Sequence, residues 1–170
     1  MLIVDGPSFC VLDTAVLHVD RRPAEVRWTT NCLVMRFDDD AEAEPPGVPM
    51  HDYMLPVHLE VLVCRRRANV QLAGVQPRLQ LLQCVDQAHC SLGALGSNWC
   101  APCLRLSLQN SSVWLNDQAE TGHLALDLLA NSHVRNARSR RLSVSALDRD
   151  CSITMAATMT APPCLRTCLV

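Results

Sequence analysis

Apolar and polar residues alternate over much of the chain. Leu104, Leu106 and Leu108 interleave with Arg105, Ser107 and Gln109, and Leu124, Leu126 and Leu128 with His123, Ala125 and Asp127. Leu142, Val144 and Ala146 alternate with Ser143 and Ser145. Val57, Leu59, Val61 and Val63 do so with His58 and Glu60, which leaves Cys64 on the polar side. A period of two puts each apolar set on one face of a strand, as a half-buried antiparallel sheet requires. Further strands are expected over Val11–Val19, Glu25–Phe37, Asn69–Leu72, Arg78–Val85, Ser112–Leu115 and Ser152–Met159.

Gly, Pro, Asn and Asp concentrate at Asp38–Pro49, Gly93–Asn98, Asn116–Gly122 and Asn131–Arg140, which are expected to be loops. The stretch Asn116–Ala130 also reads as a helix, but Thr121 and Gly122 interrupt it. No internal repeat stands out and no linker divides the chain. The expected architecture is therefore a single all-β domain over residues 1–160, an antiparallel sandwich or barrel with at most one short helix. Residues 161–170 carry no pattern, and with Cys164 and Cys168 they are expected to form a flexible tail.

Composition sharpens this. With 170 residues, 49% of them hydrophobic, the chain can close a core of its own. All 15 basic residues are Arg, Lys is absent, and Ile occurs only at Ile3 and Ile153, a usage that suggests strongly GC-biased coding such as that of a large DNA virus. A formal charge of -2 supplies no global field toward nucleic acid. The N-terminus has no basic flank and reaches Asp5 early, and no apolar run is long enough to span a bilayer, so an intracellular protein is expected. Its ten cysteines then read as thiols or metal ligands rather than as a disulfide framework.

One segment carries a family likeness. Gly122–Leu147 reads GHLALDLLANSHVRNARSRRLSVSAL, a Gly-led alternating strand, an Asn-Ser turn and an Arg-Arg-Leu strand, and HLEVLVCRRRANVQLAGV fits a preceding hairpin. This resembles the trimeric dUTPase family and its catalytically inactive viral relatives, and implies a β-barrel. The family's catalytic motifs are missing. Arg67, Ala68 and Asn69 stand near the place of the Arg-Ser-Gly phosphate motif, Gln118 to Thr121 replace an Asp-x-x-Tyr-Arg-Gly segment, and Ser145 falls near the motif's Gln. The resemblance thus implies a derived, non-catalytic member, with a divergent dUTP hydrolase as an alternative.

The densest set of metal-type residues is Cys84, His89, Cys90, Cys100 and Cys103. Zinc takes four Cys or His ligands, and a Cys-x-x-Cys pair such as Cys100 and Cys103 can hold one ion from a tight turn. A zinc-stabilised regulator is the alternative reading; otherwise no cofactor is expected and the thiols fill the core. Arg135, Arg138, Arg140 and Arg141 form a basic patch without aromatic neighbours for base stacking, so nucleic acid is not expected as a partner. Arg140, Arg141, Leu142 and Ser143 match a basophilic kinase site, with Ser143 as the acceptor. No Ser or Cys sits in a Gly-flanked nucleophile turn, and the six histidines are dispersed. The function expected is that of a non-enzymatic viral accessory protein that binds a host or viral protein through a sheet edge or an exposed loop.

Overall fold

The alternating segments do form strands, but neighbouring strands run parallel. The computed structural model describes residues 1–39, 50–55, 59–73, 78–93, 100–117 and 119–156. Their strands pair off along the chain: β1 (Leu2–Asp5) with β2 (Ser8–Asp13), β7 (Val61–Arg65) with β8 (Ala68–Leu72), and β9 (Leu81–Val85) with β10 (His89–Leu92). Three longer pairs follow: β11 (Cys100–Gln109) with β12 (Ser112–Leu115), β13 (Glu120–Leu129) with β14 (His133–Ala137), and β15 (Ser139–Leu147) with β16 (Ser152–Met155). The first member of each pair joins one sheet, in the order β15-β13-β11-β9-β7-β1, and the second joins the other, in the order β16-β14-β12-β10-β8-β2. Each pair is one coil, and successive coils stack in parallel register. The molecule is a two-sheet β-solenoid, not the antiparallel sandwich or barrel expected from the alternation.

Four strands cover the start of the stack. β5 (Leu33–Arg36) pairs parallel to β1 and carries β4 (Glu25–Trp28) antiparallel on its outer side. β3 (Val16–Val19) and β6 (His51–Met54) extend the second sheet, both antiparallel. Among the described residues antiparallel pairing is confined to these end strands.

The core consists of continuous rows between the sheets. Leu2, Leu62, Leu82, Leu106, Leu126 and Val144 are successive register partners in the first sheet, followed by Val4, Cys64, Cys84, Leu108, Leu128 and Leu147. Cys10, Val70, Cys90, Val113, Val134 and Ile153 face them from the second. Most of these side chains are fully buried, so each coil's apolar surface is covered only by stacking on its neighbours. In β7 Leu62, Val63 and Cys64 are all buried, but only Leu62 and Cys64 join the core between the sheets, whereas the alternation puts Val61 and Val63 on the core face.

The two strands of a coil are joined by a turn of two to four residues. Arg66 and Arg67, Asp86 and Gln87, and Ala130 and Asn131 all have positive φ, as does Asn110. At these consecutive left-handed residues the chain turns sharply from one sheet into the other. The turns also bond to one another up the stack, Arg67 N donating to Asp86 O at 2.9 Å and Gln87 N to Asn110 O at 2.7 Å. Two expected loops are corrected in consequence: Asn131–Arg140 contains β14 and the start of β15, and Asn116–Gly122 already includes the start of β13. The helix considered over Asn116–Ala130 is strand β13. Most of the expected loop Asp38–Pro49, the loop Gly93–Asn98 apart from Gly93, and the tail with Cys164 and Cys168 lie outside the described residues.

Candidate functional site

Parallel stacking places residues about twenty apart in sequence side by side, and this builds one dense polar cluster on the outer face of β11, β13 and β15. Cys103, His123 and Arg141 are register partners, as are Arg105, Ala125 and Ser143. Cys103 Sγ lies 3.9 Å from His123 Nδ1, and the other ring nitrogen, Nε2, lies 3.0 Å from Ser143 Oγ. Beside them Arg105 Nε donates to Asp127 Oδ2 at 2.7 Å, and Ser145 Oγ donates to Asp127 Oδ1. The Ser145 hydroxyl, and after it the Arg105 guanidinium, hold the Asp127 carboxyl below the usual carboxylate range. At the edge Arg140 reaches Glu120 at 3.4 Å.

The cluster absorbs part of what the sequence singled out and splits the rest. Ser143 is exposed and bonded to His123, and Cys103 stands on the other side of the same imidazole. The five residues of the expected zinc set do not meet. Cys84 and Cys90 point into the core, His89 lies half-buried with Nδ1 2.7 Å from Ser112 Oγ, and Cys100 and Cys103 are exposed on β11. Cys100 and Cys103 are not in a turn; three residues along a strand separate them by roughly 10 Å. Among the described residues no group of three or more His, Cys, Asp or Glu is arranged to hold a metal ion. The basic patch is also divided. Arg135 belongs to the second sheet beside the half-exposed Trp114, while Arg138 donates to the Asp117 carbonyl from the turn before β15, and Arg140 and Arg141 lie exposed on β15.

Cys84 and Cys90 instead join a buried thiol cluster with Cys64, which hydrogen-bonds to both. Those bonds, together with burial, push the Cys84 and Cys90 thiols up. Burial likewise raises the Cys10 thiol to about 12. Burial, and then the Arg135 charge, push the His89 imidazole down.

Sequence reasoning did not find the polar cluster, although part of its signal is present: Cys103 and His123 are twenty residues apart, one coil, and Ser143 lies two residues past Arg141, the register partner of His123. A cleft of about 500 Å³ lies elsewhere, near the first coil, with Trp28, Cys32, Leu55, Glu60 and Arg78 in its wall. No hydrogen bond or ion pair joins two charged groups there among the described residues. Comparisons with family models, with curated proteins and with solved structures give no match. No helix of the described residues is long and apolar enough to cross a membrane.

Proposed function

We propose that the chain is a non-enzymatic accessory protein, viral in origin as its arginine-only composition suggests, that binds an extended acidic segment of a partner protein along the free edge of β15. One observation carries this reading: β15, nine residues long, ends its sheet with no outer neighbour among the described residues. An unpaired edge is a template for strand addition, in which main-chain hydrogen bonds give affinity and alternate side chains give selectivity. Thr121 N donates to the Arg138 carbonyl, so by alternation the N–H groups of Arg141 and Ser143 face the open side. Arg140 and Arg141 are exposed along that strand, and their charge favours an acidic occupant.

The probe is a labelled nine-residue peptide alternating Val and Glu, titrated by fluorescence anisotropy. Binding should weaken with salt and drop about tenfold or more in the double variant Arg140→Glu, Arg141→Glu. Ser143→Pro removes one edge-facing N–H without touching the β13 ladder, and should weaken binding with the circular dichroism spectrum unchanged. Absence of binding by the wild-type chain, or binding indifferent to both changes, contradicts the proposal.

A further inference from the structure

We propose that Cys103 is a thiol-modification site, which forms a mixed disulfide with a carboxylate-bearing low-molecular-weight disulfide of the glutathione type. The inference is independent of the edge-binding reading and rests on the arrangement around His123.

A neutral imidazole has one donor nitrogen and one acceptor. In the tautomer that carries its proton on Nε2 and donates it to Ser143 Oγ, 3.0 Å away, Nδ1 is the acceptor and faces the Cys103 thiol at 3.9 Å. That is the order of nucleophile, base and orienting group that activates a cysteine. Two of the three residues come from neighbouring strands in rigid parallel register with the third, so the arrangement is held by the sheet and not by a loop. The Cys103 side is exposed, which thiol exchange requires, since the incoming disulfide must line up behind the attacked sulfur.

Arg141 decides the class of reagent. It is the register partner of His123, it is exposed, and it forms no ion pair among the described residues, whereas Arg105 on the other side is engaged by Asp127. Arg141 stands across His123 from Cys103, two strands or roughly 10 Å away, where it can meet a carboxylate of a disulfide docked on the thiol and so favours reagents that carry one.

In the exchange His123 Nδ1 takes the Cys103 proton, and the thiolate attacks one sulfur of the reagent. The reagent's S–S bond breaks, and the departing thiolate recovers the proton from the imidazolium. One protein thiol and one disulfide thus become one mixed disulfide and one free thiol, with no net oxidation. Cys100 cannot resolve the product. It lies roughly 10 Å along the same extended strand, beyond the reach of a disulfide. Cys100 therefore does not turn the adduct over.

The test exposes the native chain to glutathione disulfide and follows each cysteine by peptide mass spectrometry. Cys100, exposed on the same strand without the imidazole, is the internal control. Cys103 should react about tenfold or more faster than Cys100, and His123→Gln should bring the two rates together. Arg141→Gln should slow the reaction with glutathione disulfide but leave that with uncharged hydroxyethyl disulfide unchanged. Equal rates at Cys103 and Cys100 in the wild-type chain, or no effect of His123→Gln, overturns the site. Equal slowing of both reagents by Arg141→Gln overturns the assignment of the reagent class.

Discussion

Truncating Leu126 to Ala tests the coil stack where it is most tightly constrained. Leu126 is fully buried in the middle of β13, with Leu106 below it and Val144 above it in the same row. The change removes three carbon atoms from the core, about 2.4 kcal/mol at about 0.8 kcal/mol per buried carbon. The cavity adds to this. The rows on either side are pinned by backbone pairing and cannot collapse into the gap, so the total should be about 3 to 4 kcal/mol. Leu129, three residues on in the same strand, is 42% exposed on the outer face, and Leu129→Ala should cost less than about 1 kcal/mol. Urea unfolding followed by far-ultraviolet circular dichroism measures both. A loss below about 1 kcal/mol for Leu126→Ala, or equal losses for the two variants, refutes the interior placement of this row.

Three other outcomes follow from the same geometry. In the native chain a thiol reagent should label Cys100 and Cys103 first and leave Cys10, Cys64, Cys84 and Cys90 unlabelled until denaturant is added; rapid native labelling of Cys84 or Cys90 contradicts the buried cluster. Gly6→Ala should be strongly destabilising in thermal melts, because Gly6 has φ of 109° and an added Cβ would collide with the Phe37 carbonyl oxygen; a melt like that of the wild type argues against this turn. The Asp127 carboxyl is held below its ordinary value of 3.8, so its contribution is present above that pH and is lost as pH falls through the lower folded value. Because the pair sits on the outer face with its Arg105 side chain 61% exposed, the contribution is under about 1 kcal/mol, and Asp127→Asn should flatten the acid limb of stability against pH; identical limbs would count against the contacts with Ser145 and Arg105.

The strands were legible because a side-chain period of two is written directly into the residues, as at Leu104–Leu108 and Leu124–Leu128. Their direction was not, since parallel and antiparallel strands with one buried face share that period. What distinguishes them is recurrence at the turns. Ala68-Asn69-Val70, Ala88-His89-Cys90, Ser111-Ser112-Val113 and Ser132-His133-Val134 each follow a left-handed turn and stack in register. A small residue, a polar residue and a β-branched or thiol residue thus repeat at these four turns. The pattern escapes notice because turn chemistry tolerates Arg66, Asp86, Asn110 and Asn131 alike, and because the coils differ in length by several residues. The candidate site was half legible for the same reason. Cys103, Arg141 and Ser143 drew attention singly, but only parallel register sets them around His123. The residues of the expected zinc set lie apart because β9 turns Cys84 inward while β11 leaves Cys100 and Cys103 outside.

Parallel stacking of the coils is the claim on which the rest depends, and proton–proton contacts between β11, β13 and β15 in isotope-labelled protein test it most directly. In a parallel ladder paired residues keep a constant difference in number, so Cys103, Arg105 and Ser107 should contact His123, Ala125 and Asp127 in that order. Contacts that run in the reverse order, with a constant sum in place of a constant difference, would contradict the solenoid and return the chain to an antiparallel sheet.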